Sequence, residues 1–162
     1  MAVRQGVDAG TVAAEARRVL AATTYLTLAT ADADGRPWAT PVWFAVPAGA
    51  ELRGLDFVWV SRPGARHSVN IAHRSAVGIV VFDSAVAVGD AAAVYLEAEA
   101  GEVDPDENAA ALAVYNARTR EQGLPSWTER QVTGEARFRI YRARASRVYV
   151  LDEHDGRVEV SG

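Results

Sequence analysis

The stretch from Arg36 to Ile71 constrains the fold of this chain more than any other. It opens with ten residues that alternate as a β-strand does and that contain two prolines, and a short apolar strand follows at residues 56–60. A Pro-Gly pair then forces a turn into a segment with helical spacing, which would carry Arg66 and His67 in its first turn. Free N–H groups at a helix start attract an anion, and a guanidinium adds a bidentate donor. The sequence therefore predicts an anion site here, with a phosphorylated cofactor as its ligand.

Length and apolar content limit the possible architectures. With 162 residues, of which 49% are apolar, the chain can bury one substantial core and is short for two domains. We therefore expect a single domain over residues 1–162. No run of about 18 apolar residues is present, and charged residues interrupt the N-terminal segment, so neither a membrane span nor a secretory signal is expected. These features predict a cytoplasmic protein.

The residue types restrict the chemistry. The sequence has no cysteine, which excludes disulfides and thiolate sites, and all 17 basic residues counted as lysine or arginine are arginine, which excludes a Schiff-base lysine. His73 and His154 have no partner at metal-ligand spacing, so no metal site is predicted. No catalytic triad, carboxylate pair or phosphate-loop motif is present, and we expect no catalytic side chain. The net charge of −4 disfavours a nucleic-acid partner.

Turn signals and period-two alternation predict seven or eight strands against two substantial helices. One helix is expected at residues 9–22, within an N-terminal segment of residues 1–23. The other is expected at about residues 105–121, in a segment of residues 104–122 that packs on the sheet, with Asp104 and Glu107 at capping-box spacing. Because hairpins dominate, an antiparallel barrel is the natural way to remove exposed edges. Strands are predicted at residues 25–30, 37–46, 56–60, 76–82, 91–103, 136–141, 147–151 and 158–160.

The predicted strand at residues 37–46 is apolar on both faces. Trp38 and Phe44 lie on one face and Trp43 on the other, by the two-residue period of a strand. One face would line a barrel interior, and a partner subunit or a flat cofactor would cover the other. Pro41 cannot donate to a ladder, so one edge near it should be unpaired or bulged, and a ligand could approach such an edge.

Together these features resemble the pyridoxamine 5'-phosphate oxidase-like group of flavin-binding split barrels, over roughly residues 24–151. The resemblance implies a mainly β protein with a few helices, built as a split antiparallel β-barrel. It also implies a homodimer that binds FMN, or in a related branch a deazaflavin coenzyme, in a groove between the subunits. The motifs that support it are the hairpin strand at 35–44, the strand and turn at 58–67, the helix that ends at 70–71, the strand at 77–82 and the acidic strand at 95–100.

The resemblance places the family's phosphate grip on Ser61, Arg66 and His67. Arg62 is a further cofactor-binding candidate, and with Arg36 it would meet the longer acidic tail of a deazaflavin coenzyme. The family often has a basic pair at this turn, and here its second member is a histidine. Because a histidine donates well only when suitably protonated, we expect phosphate affinity to fall as pH rises.

The same resemblance implies a second set of cofactor contacts. Thr40, Pro41, Val42 and Trp43 match the strand whose backbone lies along the isoalloxazine ring. At its C-terminus, residues 155–162, the chain lacks the arginine and histidine motif with which true pyridoxamine phosphate oxidases clamp their substrate. Vitamin B6 is therefore not the expected substrate.

Three functions remain open at this point. The preferred one is an FMN-dependent oxidoreductase that transfers a hydride or electrons between a reduced nicotinamide, or a similar donor, and a small acceptor. The second keeps the fold and replaces FMN by a deazaflavin coenzyme, and the third is a non-catalytic flavin- or haem-binding protein that stores or senses its ligand. Five arginines between residues 137 and 147 could receive a phosphate tail, meet an acidic strand of a partner, or simply be solvated.

Overall fold

Seven antiparallel strands and three helices make up the protein in a computed structural model that describes residues 9–87, 92–151 and 156–160. This composition confirms the mainly β fold class expected from the sequence. None of the described helices is long and apolar enough to cross a membrane. The elements are α1 (Ala9–Ala22), β1 (Tyr25–Ala31), β2 (Pro37–Trp43), β3 (Asp56–Ser61), α2 (Arg66–His73), β4 (Ala76–Phe82), β5 (Ala93–Glu102), α3 (Asn108–Glu121), β6 (Arg139–Leu151) and β7 (Arg157–Glu159).

The strands form a split antiparallel barrel. Their order in the sheet is β2-β1-β4-β5-β6-β3, and β7 pairs with β6. Beyond the end of β2, Ala45 and Val58 exchange two backbone hydrogen bonds of 2.9 Å, which join the two outer strands. Within β2 itself, Pro41 pairs only with Thr27 of β1 among the described strands. The free edge expected near this proline is therefore confirmed.

A tight turn sets the register of β1 and β2. The Asp32 carboxylate accepts hydrogen bonds from the N–H groups of Asp34 and Arg36, at 3.0 and 2.9 Å. Gly35 has a φ of 85°, which a residue with a side chain rarely adopts. The hairpin turn predicted from the sequence is confirmed, and it aligns the two strands residue by residue from Tyr25 to Ala31.

The barrel interior holds an aliphatic and aromatic core that α1 covers. Helical spacing in the sequence predicts a stripe of four apolar residues on this helix, and the stripe is confirmed because all four are buried. Trp59 lies in the same core, with its ring stacked on Tyr141 at a centroid distance of 5.8 Å. The buried side chains of α1 are Val12, Ala16, Val19 and Leu20.

A second core lies between α3 and the outer face of the sheet. Trp43 packs edge-on against Tyr115 at 4.7 Å, and its indole N–H donates to the Gln122 side chain at 2.9 Å. The expectation that a partner or a cofactor covers this face of β2 is therefore wrong for the Trp43 side chain, which α3 covers instead. Helical spacing in the sequence predicts a buried stripe of Ala109, Leu112, Ala113 and Ala117 for α3, and this prediction is wrong apart from Leu112, because the three alanines are exposed. The helix buries Asn108, Ala111, Leu112, Tyr115 and Thr119.

The elements predicted from the sequence differ from the observed ones at three other places. β2 ends at Trp43, because the chain turns there towards its bridge with β3. Residues 139–151 form one strand instead of two, since β5 pairs with it through a bulge beside Glu97. Asp104 makes no side-chain cap, although its spacing to Glu107 predicts a capping box.

Candidate anion and cofactor site

Helix α2 begins with an arginine and has no acidic residue in its first turn. The turn before it is closed by a 3.0 Å hydrogen bond from the Ala65 N–H to the Arg62 carbonyl. Ala65 occupies the N-cap without a side-chain hydrogen bond, and the Val69 N–H is the first of the helix to bond back, to the Ala65 carbonyl at 3.0 Å. The N–H groups of the first turn and the helix dipole therefore present positive potential that no described side chain cancels.

Ser61 and His67 meet at this helix start. The Ser61 Oγ lies 2.8 Å from Nε2 of His67, which joins the end of β3 to the first turn of α2. His67 is 9% exposed, and burial lowers the pKa of its ring. The ring is therefore neutral at neutral pH, and one tautomer donates from Nε2 to the serine oxygen. In that tautomer the serine hydroxyl hydrogen is free to donate to an anion.

Arg66 lies over an aromatic ring. Its guanidinium carbon is 4.3 Å from the ring centroid of Trp38, which is 41% exposed. No carboxylate of the described residues comes within 4.0 Å of the Arg66 side chain. The charge of Arg66 acts on Asp32 from a greater distance. The pKa of the Asp32 carboxyl is lowered mainly by the hydrogen bond from the Arg36 N–H, and in smaller part by the charge of Arg66. Arg66 thus keeps most of its positive charge uncompensated.

A buried polar relay ties α2 to the same hairpin. The Asn70 amide donates to the Thr30 hydroxyl at 2.9 Å, and this hydroxyl donates to the carbonyl of Trp38 at 3.3 Å. Asn70 and Thr30 are only 2% and 5% exposed. Sequence reasoning missed this relay, although two signals point to it. Asn70 follows Arg66 by one helical turn, and the hairpin register places Thr30 opposite Trp38.

The four residues predicted beside the isoalloxazine ring lie on the free edge strand. Pro41 is exposed, Val42 is buried in the barrel, and Trp43 packs under α3. The Thr40 hydroxyl oxygen is buried and has no hydrogen-bond partner among the described residues. An unsatisfied buried hydroxyl is uncommon, and a ligand carbonyl would satisfy it. A cavity of about 330 Å³ opens beside Pro41, between Tyr25 and Phe82.

Other candidates have different neighbours. The Arg62 guanidinium carbon lies 5.8 Å from the ring centroid of Phe138, and Arg62 takes no part in the contact between Arg66 and Trp38. His73 is exposed as predicted, His154 falls outside the described residues, and no metal-binding cluster occurs in the described ranges. A larger cavity of about 520 Å³ lies between α1, α3 and the loop after β2, and none of the predicted cofactor residues lines it. The larger cavity has Arg17 and Arg118 in its lining, but the anion-binding residues predicted from the sequence lie apart from it, at the start of α2.

The arginines of β6 are paired within the chain. Arg142 contacts Glu107 at 2.8 Å and Arg144 contacts Asp56 at 2.9 Å. The other two follow the same rule: Arg139 reaches Glu102 at 3.3 Å, and Arg147 reaches Glu159 at 2.9 Å and Glu97 at 3.8 Å. These carboxylates occupy the positions that a phosphate tail or a partner's acidic strand would need.

The fold is that of a split-barrel protein, and the residues predicted to bind an anion lie where β3 passes into α2. The chain belongs to the pyridoxamine 5'-phosphate oxidase family, whose model matches residues 12–152. A search of curated protein sequences gives no match.

Three solved structures illustrate the range of proteins that share this fold. A haem-binding protein from Mycobacterium smegmatis is 26% identical, with a TM-score of 0.68 over 98% of this chain and 59% of its own. The present chain thus spans about three fifths of that protein. HutZ, a haem storage protein from Vibrio cholerae, is 20% identical, with a TM-score of 0.61 over 83% of this chain and 89% of its own. An F420 reductase is 19% identical, with a TM-score of 0.57 over 82% and 94%.

Proposed function

We propose that this chain is an FMN-dependent oxidoreductase that works as a homodimer, with the cofactor between its subunits. The observation that carries the proposal is the contact of Ser61 with His67 at the start of α2, next to the uncompensated Arg66. This combination of a hydroxyl oriented by the imidazole, a guanidinium and free backbone N–H groups suits a phosphate monoester, which accepts several hydrogen bonds at once. A deazaflavin coenzyme also carries a phosphate and is the alternative ligand.

The residues present fit a flavin in two respects. Ser61 and Arg66 would donate to its phosphate while His67 orients the Ser61 hydroxyl, and the Thr40 hydroxyl, which has no partner among the described residues, would donate to a polar atom of the ring. The free edge of β2 supports a subunit contact, because Trp38 and Pro41 are exposed on it. When bound, the flavin supplies hydride and electron transfer. The chain's own residues bind and orient it and exclude water, and none acts as an acid or a base.

Haem binding is the second candidate. It is favoured by the 26% identity to the Mycobacterium smegmatis haem-binding protein over 98% of this chain. On this reading the propionates of haem would use the same arginine and serine, and the protein would store or sense its ligand without turnover. Of the described histidines, His67 already contacts Ser61, and His73 is exposed at the end of α2.

Ligand titration of the purified full chain separates these candidates. We expect FMN to bind more tightly than riboflavin or haemin, and Arg66→Ala to weaken FMN roughly 10- to 100-fold, since a hydrogen bond to a charged group contributes about 1.5–3 kcal/mol. Arg144→Ala is the matched control, because its guanidinium contacts Asp56, and it should leave FMN affinity unchanged. Equal FMN affinity in the wild type and Arg66→Ala would contradict the phosphate assignment.

Absorbance and turnover complete the test. Bound FMN gives a visible flavin band, a deazaflavin lacks that band, and haem gives a Soret band. With FMN bound, the chain should oxidise a reduced nicotinamide faster than free FMN does, and ultracentrifugation should show a dimer. Tight haemin binding with a Soret band and no flavin binding would favour the storage function instead.

A further inference from the structure

We infer that Trp38 is a positioning residue that holds the Arg66 guanidinium ready for the phosphate. The inference rests on the proposed function, because it concerns the same anion site. It starts from the 4.3 Å separation between the Arg66 guanidinium carbon and the Trp38 ring centroid. Neither the family resemblance nor the site residues predicted from the sequence include Trp38 among the cofactor contacts.

The choice of an aromatic partner has a chemical consequence. An arginine side chain loses considerable rotamer freedom when it is fixed, so a preformed site needs something to hold it. A carboxylate would hold Arg66 but would also neutralise it and compete with the phosphate. An indole face holds the guanidinium through its ring quadrupole and leaves the N–H donors and the charge available. Trp38 therefore orders Arg66 without occupying it.

The backbone of Trp38 is itself fixed by α2. Its carbonyl accepts the Thr30 hydroxyl hydrogen, and Thr30 in turn accepts from the Asn70 amide. Arg66 and Asn70 lie one turn apart on α2. Arg66 contacts the Trp38 ring, and Asn70 is linked through Thr30 to the Trp38 carbonyl. Hydrogen bonds that are buried at Thr30 and Asn70 thus join the Trp38 backbone to α2, the helix that carries Arg66.

The expected effect is selective for the phosphate. If Trp38 acts only through Arg66, its loss weakens ligands that carry a phosphate and spares those that lack one. A tryptophan that stacked on the flavin ring would instead contribute equally to FMN and to riboflavin. The ratio of the two affinities therefore distinguishes positioning from direct contact.

The test is a double-mutant cycle on the full chain with FMN and riboflavin as probes. We expect Trp38→Leu to weaken FMN about 3- to 10-fold, in the range of cation–π contacts, and to change riboflavin affinity less than about twofold. Trp38→Phe, which keeps an aromatic face, should fall between wild type and Trp38→Leu. In an Arg66→Ala background, Trp38→Leu should have no further effect on FMN.

Each other outcome has a distinct meaning. Equal losses for FMN and riboflavin, or additive effects of Trp38→Leu and Arg66→Ala, overturn the positioning role. So does an unchanged FMN affinity in Trp38→Leu while Arg66→Ala loses affinity, and this outcome leaves the proposed function intact. If Arg66→Ala itself changes nothing, the phosphate site is wrong. Trp38→Phe decides the question if Trp38→Leu does not fold.

Discussion

The arginines of β6 and Arg66 are the same residue type in two opposite situations. Arg144 and Arg147 each contact a carboxylate at 2.9 Å, and the pKa of both guanidinium groups is raised, primarily by hydrogen bonds to Asp56 and Glu159 respectively. Arg66 contacts an indole face and has no described carboxylate within 4.0 Å. All of these guanidinium groups are charged, but carboxylates compensate the charge of the β6 arginines, whereas no described carboxylate contacts Arg66.

The difference shows that the partner of an arginine decides its role. A guanidinium beside a carboxylate has satisfied its donors, so an incoming phosphate would have to displace an existing bond. A guanidinium over a ring has free N–H groups and a position that is already restricted. The helix start strengthens the contrast, because the dipole of α2 repels Arg66 and attracts an anion at the same place.

Charge reversal should give the largest difference in FMN affinity between a variant of Arg66 and a variant of a β6 arginine. Arg66→Glu puts a negative charge at the helix start, and like-charge juxtaposition costs several kcal/mol, so we expect FMN affinity to fall by at least about 100-fold. Arg144→Glu is the matched reversal at an exposed pair. It should change FMN affinity less than twofold and lower the free energy of unfolding by about 1 kcal/mol or less. Fluorescence titration measures the first effect and urea unfolding the second; similar losses of FMN affinity would refute the distinction.

A smaller effect is expected from the relay that supports the Arg66 side of the comparison. Thr30→Val removes the hydroxyl and leaves the Asn70 amide buried without its partner, which should cost about 1–3 kcal/mol of unfolding free energy. Thr30→Ser keeps the hydroxyl and serves as the control, with most of this loss restored. Urea unfolding followed by circular dichroism measures both variants. A Thr30→Val protein as stable as the wild type would show that the relay contributes nothing.

The smallest effect concerns pH and His67. Burial lowers the folded pKa of this ring, whereas the unfolded value is about 6.5. At pH values well above about 6.5 the ring is neutral in both the folded and the unfolded state, so its titration costs the folded state no stability. As pH falls through the folded pKa, the unfolded chain binds the proton more readily, so stability is lost. The same low pKa moves the expected pH dependence of phosphate affinity to acidic pH.

Urea midpoints between pH 7.5 and 5.5 check this effect, with His67→Gln as the reference that lacks the titrating group. We expect the wild type to lose stability towards pH 5.5 relative to His67→Gln. Parallel curves for the two proteins would show that His67 does not titrate differently on folding.

Much of the fold could be predicted because its signals are local. The turn at residues 32–35, the alternation of β1, the stripe of α1 and the Pro-Gly turn before α2 each specify their own backbone. Prediction was wrong where contacts distant in sequence decide. The apolar stripe of α3 could not be chosen among its many alanines until the position of Tyr115 against Trp43 was known. Likewise, β6 runs unbroken because β5, from a distant part of the chain, pairs with it through a bulge beside Glu97.

The same division holds for the site. The sequence by itself determined that a hydroxyl, an arginine and a histidine stand around a turn that starts a helix, because turn and helix signals act within a few residues. Only the tertiary structure decided which arginines have a carboxylate partner and which lies on an aromatic ring, since that depends on the side chains that distant strands bring against them. It buried His67 against Ser61, placed Trp38 under Arg66 and joined Asn70 to Thr30 across 40 residues. Pairing and desolvation are properties of packed neighbours, and sequence spacing alone does not contain them.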